Sequence, residues 1–147
     1  MGKVLNLSQH LMHHELKGRN NMSGNNIEFD YDIQSDSLFV YRNIDYEYDV
    51  SFELGDDVIM DFDKNNVPVA FEFLNASKLF KMKKIDFNNL LRIRIKADIN
   101  EDEITLNIHI VAAIHNKNTN FDVNRVASNI QNIPVYASEF DSELVSA

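Results

Sequence analysis

From Ile27 onward, apolar and polar positions alternate with a period of two, the spacing of a strand that buries one face. Glu28–Tyr31 and Ser37–Tyr41 flank a turn at residues 32–36. Tyr46, Tyr48, Val50, Phe52 and Leu54 then alternate with Glu47, Asp49, Ser51 and Glu53, which predicts a half-buried strand with an acidic outer stripe. Gly55-Asp56-Asp57 turns the chain. Asn65-Asn66 suits a two-residue hairpin turn, because Asn tolerates positive φ. Pairing outward from it sets Phe62 against Val69, Met60 against Phe71 and Val58 against Phe73, all on one face. A slip of one residue would scatter them, so this register is well specified. Pro68 cannot donate a ladder hydrogen bond and is expected on the free side of an edge strand.

Asn75-Ala76-Ser77 opens a short helix containing Leu79, Phe80 and Met82, with Lys81, Lys83 and Lys84 at its end, where cations offset the macrodipole. A longer hairpin follows. Leu91, Ile93, Ile95, Ala97 and Ile99 alternate with Arg92, Arg94, Lys96 and Asp98, and the turn falls at Glu101-Asp102. The register pairs Ile99 with Ile104, Ala97 with Leu106, Ile95 with Ile108 and Ile93 with Ile110; the other face pairs Lys96 with Asn107 and Arg94 with His109. Thr119-Asn120-Phe121-Asp122 is similar to a capping box, and Val123, Val126 and Ile130 at helical spacing predict a C-terminal helix ended by Pro134. The acidic tail from Val135 is weakly patterned. At the other end, Leu5, Leu7, Leu11, Met12 and Leu16 could line a helix opened by Ser8, followed by a polar linker around Gly24. The expected fold is α+β: a mainly antiparallel sheet of hairpins, a short helix after the first module and a C-terminal helix. Three segments are expected: a helical or mobile appendage over 1–26, a small β module over 27–84, and the long hairpin with its helix and tail over 85–147, the last two able to merge into one domain.

Composition narrows the function. The chain has 147 residues and no cysteine, which removes disulfides, thiolate metal sites and cysteine nucleophiles. No run reaches the ~18 apolar residues of a membrane helix, and Gln9, His10, His13 and His14 interrupt any signal-peptide core, so a cytoplasmic location with no membrane association is expected. A net charge of −9 disfavours nonspecific binding to phosphate backbones. That figure conceals opposed blocks. Residues 28–63 hold twelve acids and one base, Arg42, whereas residues 64–97 hold eight bases and two acids. Two electrically distinct surfaces are therefore expected.

Tyr31, Asp32, Asp36, Leu38 and Val40, then Val58, Ile59, Asp61 and Asp63, then Phe71, Glu72, Phe73, Leu74, Ala76 and Ser77 form a sequence of motifs that resembles a small family catalogued as domain of unknown function 2283. The resemblance covers residues 28–80. It implies a compact antiparallel sheet with a short helix and no assigned activity; some relatives are thought to be antitoxin-like partners of small toxins. Asn66 and Ala70 stand where the family carries glycine. The hairpin-then-helix order of the C-terminal part resembles, more distantly, that of SecB-type export chaperones.

Candidate chemistry is sparse. Asp61, Asp63 and Glu72 approach a calcium-loop spacing, but the loop needs Gly where Asn66 stands and helical flanks where strands are predicted. In the hairpin register Glu72 lies opposite Ile59, about 13 Å along the strand from Asp63. His10, His13 and His14 share a helical face without the His-Glu-x-x-His pattern of a zinc protease. With 4 Gly in all, no phosphate-cradling loop, dinucleotide fingerprint or nucleophile elbow is present. No catalytic residue, cofactor site or metal site is assigned. The candidate partner surface is the acidic stripe Glu47, Asp49, Glu53 and the basic stripe Arg92, Arg94, Lys96. Such charges set orientation and partner choice more than affinity. The expectation is a nonenzymatic binding or assembly module whose partner is a second copy of itself. The alternatives are an antitoxin-like or chaperone-like regulator of another protein, or a nucleic-acid binder using Arg92, Arg94, Lys96 and the Lys81–Lys84 cluster.

Overall fold

Two antiparallel sheets pack face to face in the computed structural model, which describes residues 26–142. The first contains β1 (Ile27–Asp32), β2 (Ser37–Arg42), β3 (Tyr48–Leu54), β4 (Val58–Asp63) and β5 (Pro68–Phe73), in the order β1-β2-β5-β4-β3. A short helix α1 (Ala76–Phe80) and a 3₁₀ segment (Lys84–Asn89) lead to the second sheet. That sheet holds β6 (Leu90–Ile99), β7 (Glu103–Ile114), β8 (Lys117–Ser128) and β9 (Tyr136–Asp141), in the order β8-β7-β6-β9. The expected N-terminal helix and its three histidines lie outside the described residues.

Alternation explains the core. Leu38, Val40, Val58, Met60, Phe71 and Phe73 point inward from the first sheet and meet Ile93, Ile95, Ile99, Leu106, Ile108 and Ile110 from the second. A run of aromatic contacts crosses the molecule. Tyr31 stacks on Phe87 with centroids 4.3 Å apart, Phe87 meets Phe80, Phe80 meets Phe73, and Phe71 meets Phe140 edge-to-face at 5.4 Å. Phe140 belongs to β9, so the last strand completes a core that the first sheet begins. The sheets also touch at one corner, where Asn26 bridges Asp141.

The predicted hairpin registers are those observed, with one local change. Met60 faces Phe71 and Val58 faces Phe73, but a bulge sets Phe62 against Pro68 rather than Val69. All six predicted β6–β7 pairs form. Pro68 corrects the expectation of an edge strand. β5 is the middle strand of its sheet, buried at every residue. Proline is tolerated because it is the first residue of the strand and overhangs β2, whose pairing stops at Tyr41 opposite Ala70.

The C-terminal helix is overturned. Residues 117–128 form β8, paired with β7 over its full length. His115 and Asn116 both take positive φ, 52° and 64°, the geometry of a two-residue turn that matches strand twist. Phe121, Val123, Arg125 and Ala127 turn to the inner side, whereas Val126 and Ile130, two of the three residues expected on a helix face, are 63% and 83% exposed. Period two therefore wins over period 3.6. The distant likeness to export chaperones loses its basis with the helix. Residues 136–141 of the weakly patterned tail form β9: Tyr136, Ser138 and Phe140 alternate inward, and the strand pairs with β6. Between β8 and β9 the buried Asn129 side chain donates to Asn100 O and Ile133 O and accepts from Ile133 N, closing the loop before Pro134.

Candidate functional site

The outer face of the first sheet is organised as two rows running across all five strands. Register places Glu28, Tyr41, Ala70, Asp61 and Ser51 in one row, and Asp30, Phe39, Glu72, Ile59 and Glu53 in the next. This outer face is not a solvated surface throughout: Tyr41, Ile59, Asp61, Ala70 and Glu72 are all buried. Phe39 and Tyr46 pack over Tyr41 and Ala70. Ala70, where the family carries glycine, is fully enclosed and sits between Tyr41 and Asp61. The hairpin position of the other replaced glycine, Asn66, has φ 62°, which Asn adopts at little cost.

Burial raises the Asp61 carboxyl to about 6, against a lowering hydrogen bond that Ser51 Oγ donates to it. Tyr48 Oη and Ser51 Oγ are joined in turn at 3.0 Å. Burial, with the carboxylates of Asp30 and Glu28 beside it, pushes the Tyr41 hydroxyl far above its ordinary range, so it remains a donor to Asp30 (3.3 Å) and Glu28 (3.4 Å). No group of three His, Cys, Asp or Glu side chains among the described residues is placed to hold a metal ion. Asp63 organises its hairpin instead, accepting from the backbone N–H of Asn65 and Val67.

At one end of this sheet lies a hydrogen-bond knot. Asp36, at φ 55°, accepts from Tyr31 Oη (2.6 Å), Ser77 Oγ (2.7 Å) and Ser77 N (3.0 Å), and its own carbonyl accepts from Ala76 N. Burial alone would raise the Asp36 carboxyl; the hydrogen bonds from Tyr31 and Ser77, with the charge of Lys84, outweigh it and hold it below its ordinary value. Tyr31, Asp36, Ala76 and Ser77 thus tie the β1–β2 turn to the start of α1. Their work is architectural.

The two charged stripes expected as a partner surface do not meet within the chain. Glu47, Asp49 and Glu53 lie on or beside β3 at the edge of the first sheet, and Glu47 pairs with Lys64 at 3.1 Å. Arg92, Arg94 and Lys96 lie on β6, inside the second sheet, next to β9. Arg92 makes a two-point contact with Asp141 at 2.9 and 2.5 Å, Arg94 approaches Asp141 and Glu139, and Lys96 lies opposite Glu139. The basic stripe is therefore largely neutralised by β9, whose existence the sequence pattern had not announced.

The sheet edges form the remaining surface of interest, and sequence reasoning missed the longest of them. β8 is twelve residues long and borders the second sheet. Val126 on it and Ile130 just beyond it are two of the five large apolar side chains most exposed among the described residues. A shallow cleft beside them is lined by Leu54, Gly55, Ile104 and Ala127, and the Asp57–Arg125 ion pair at 2.6 Å spans its neighbouring wall. The signal that could have revealed β8 was Asn116, a residue suited to positive φ, followed by Phe121, Val123 and Ala127 at even spacing.

Residues 28–77 match the model of a family described as Protein of unknown function (DUF2283). An uncharacterized protein from Methanocaldococcus jannaschii is 40% identical over 85 residues, which cover 57% of this chain and 72% of that protein. The chain belongs to this family, and the matched segment is the first sheet apart from Ile27, together with the knot at Ser77. A protein from Methanosarcina mazei provisionally named a hypoxanthine phosphoribosyltransferase is 28% identical over 108 residues, covering 74% of this chain and 86% of that protein. No solved structure matches.

Proposed function

We propose that this protein is a nonenzymatic binding and assembly module that associates with copies of itself. The observation that carries this reading is the twelve-residue edge strand β8, with exposed Val126 on it and exposed Ile130 just beyond it. An unpaired strand edge offers a row of backbone donors and acceptors, and an apolar patch next to it favours a protein partner. The pairing of Arg92 and Arg94 with β9 weakens the case for nucleic acid as partner, because those cations already have carboxylates. Sedimentation velocity over a concentration series tests the reading. A species heavier than the 17.0 kDa chain, growing with concentration, is expected. A monomer throughout the micromolar range would sink it.

The name of the Methanosarcina mazei relative supports a second reading, phosphoribosyl transfer. Phosphate chemistry of that kind commonly uses backbone N–H groups of a glycine-rich loop. Gly55, in the tight β3–β4 turn at φ 73°, is the one glycine among the described residues. Consumption of hypoxanthine in the presence of a phosphoribosyl donor would replace the assembly reading with an enzymatic one.

A further inference from the structure

Four strands border the two sheets, and three of them carry features that discourage further pairing. β1 is six residues long, carries Glu28, Asp30 and Asp32, and lies at the corner where Asn26 bridges β9. β9 is equally short and carries Glu139 and Asp141. β3 has Asp49 and Glu53 and a register shift between Tyr48 and Val50. Short length, charge and irregularity are the usual protections of a sheet edge. β8 is long and regular, and its outward charges are few: Lys117 at its start and Asp122, which is bonded to His109 across the ladder at 2.7 Å. Its pairing with β7 runs without a shift from Lys117 to Ser128, and of its charged side chains Arg125 turns inward to Asp57.

The backbone of β8 has a fixed polarity. A two-residue turn closes on a hydrogen-bonded pair, here Ile114 and Lys117, and such pairs alternate along an antiparallel ladder. Odd-numbered residues of β8 therefore bond to β7, and the N–H and C=O of the even-numbered ones, Asn118 to Ser128, point outward.

We propose that β8 pairs antiparallel with β8 of a second copy about a two-fold axis at Val123, joining two four-stranded sheets into one of eight strands. The inference deepens the assembly reading and rests on it. Register follows from chemistry. Inner and outer faces are preserved only if paired residues have the same parity. An axis at Asp122 would set two carboxylates face to face. An axis at Asn124 would set the charged Asp122 opposite the apolar Val126, where the axis at Val123 sets the neutral Asn120. The axis at Val123 sets each Asp122 opposite an Asn124, whose amide can donate to the carboxylate, and each Phe121 opposite an Arg125. It also sets Val123 against itself on the half-buried inner side, and the even residues face each other with their free backbone groups aligned. Opposite pairing of this kind is self-complementary, as a two-fold interface must be.

The test is sedimentation velocity of the full chain and three variants. Asn124→Pro removes an outward N–H that β7 does not use; it is expected to abolish association while leaving the far-ultraviolet spectrum unchanged. Asn124→Asp, a conservative change, sets carboxylates opposite Asp122 and is expected to weaken association at least about tenfold. Combining it with Asp122→Asn exchanges the two partners and is expected to restore affinity to within about threefold, which only the Val123 register does. A monomeric parent protein would overturn both the assembly reading and this inference. A parent oligomer indifferent to Asn124→Asp and Asn124→Pro would leave assembly standing and overturn the β8 interface. Weakening by Asn124→Asp without restoration in the exchanged pair would overturn the Val123 register.

Discussion

Asp36 and Asp61 are both buried carboxylates, yet folding shifts their proton affinities in opposite directions. Asp36 collects donors from Tyr31 and Ser77, so its charged form is favoured. Its contribution to stability is present above the ordinary carboxylate range and is lost as pH falls through its lowered value. Asp36→Ala should cost about 3 kcal/mol in urea denaturation near neutral pH, because a buried charged acceptor is removed and its donors are left unsatisfied. Asp61 has the reverse sign. Its carboxyl rises from 3.8 to about 6 through burial, so between those values the folded protein holds a proton that the unfolded chain releases. Stability from this residue therefore declines as pH rises through that window and stays reduced above it. Asp61→Asn keeps the shape and the acceptor for Ser51. It should raise stability near pH 7 by up to about 3 kcal/mol and leave it unchanged near pH 3, as thermal melts at the two conditions would show. The family motif around Tyr31, Asp36 and Ser77 was visible in the sequence, but its meaning was not, because residues 41 positions apart come together only in the fold.

Hairpins were the elements the sequence expressed best. Ile93, Ile95, Ala97 and Ile99 find the partners that alternation assigns them, since only one register buries them all. β8 was misread for a definite reason. Val123, Val126 and Ile130 satisfy helical spacing, and Thr119 to Asp122 mimics a helix start. In the fold Asp122 instead meets His109 across the ladder at 2.7 Å. Strand identity came from the partner β7 and from the turn at His115-Asn116, neither of which is a local apolar period. That turn carries two non-glycine residues at positive φ. Asn adopts this φ at little cost and alanine does not, so Asn116→Ala should destabilise the protein by about 1 kcal/mol, as a shift in the urea midpoint would register. Asp49 and Glu53 lie on β3, with Glu47 just before it, and Arg92, Arg94 and Lys96 lie on β6, but the surroundings of the basic stripe depended on β9. Arg92 and Arg94 looked available only while the acidic, weakly patterned tail from Val135 was given no strand.

On the scale of the whole molecule, the opposed charge blocks resolve into geometry. The acidic block builds β1 to β4 and leaves carboxylates along the first sheet's outer rows, whereas the basic positions of β6 are met by acids of β9. Assembly through β8 would keep the acidic rows away from the joint. The two sheets depend on each other through Phe140, which is fully buried against Phe71. Phe140→Ala should therefore destabilise both sheets in one transition, by about 3–5 kcal/mol in calorimetry or denaturant titration.

The corner where Asn26 bridges Asp141 has a consequence in time rather than in space. The first strand described and the last are neighbours, and Arg92 waits for a partner 49 residues further on. Closing so long a loop is slow relative to zipping a hairpin. During synthesis the five strands of the first sheet emerge early and can pair locally, but their inner face has nothing to rest on until the second sheet follows. The core is sealed only when residue 140 has left the ribosome. Until then the nascent chain exposes the apolar face that β9 will help to cover.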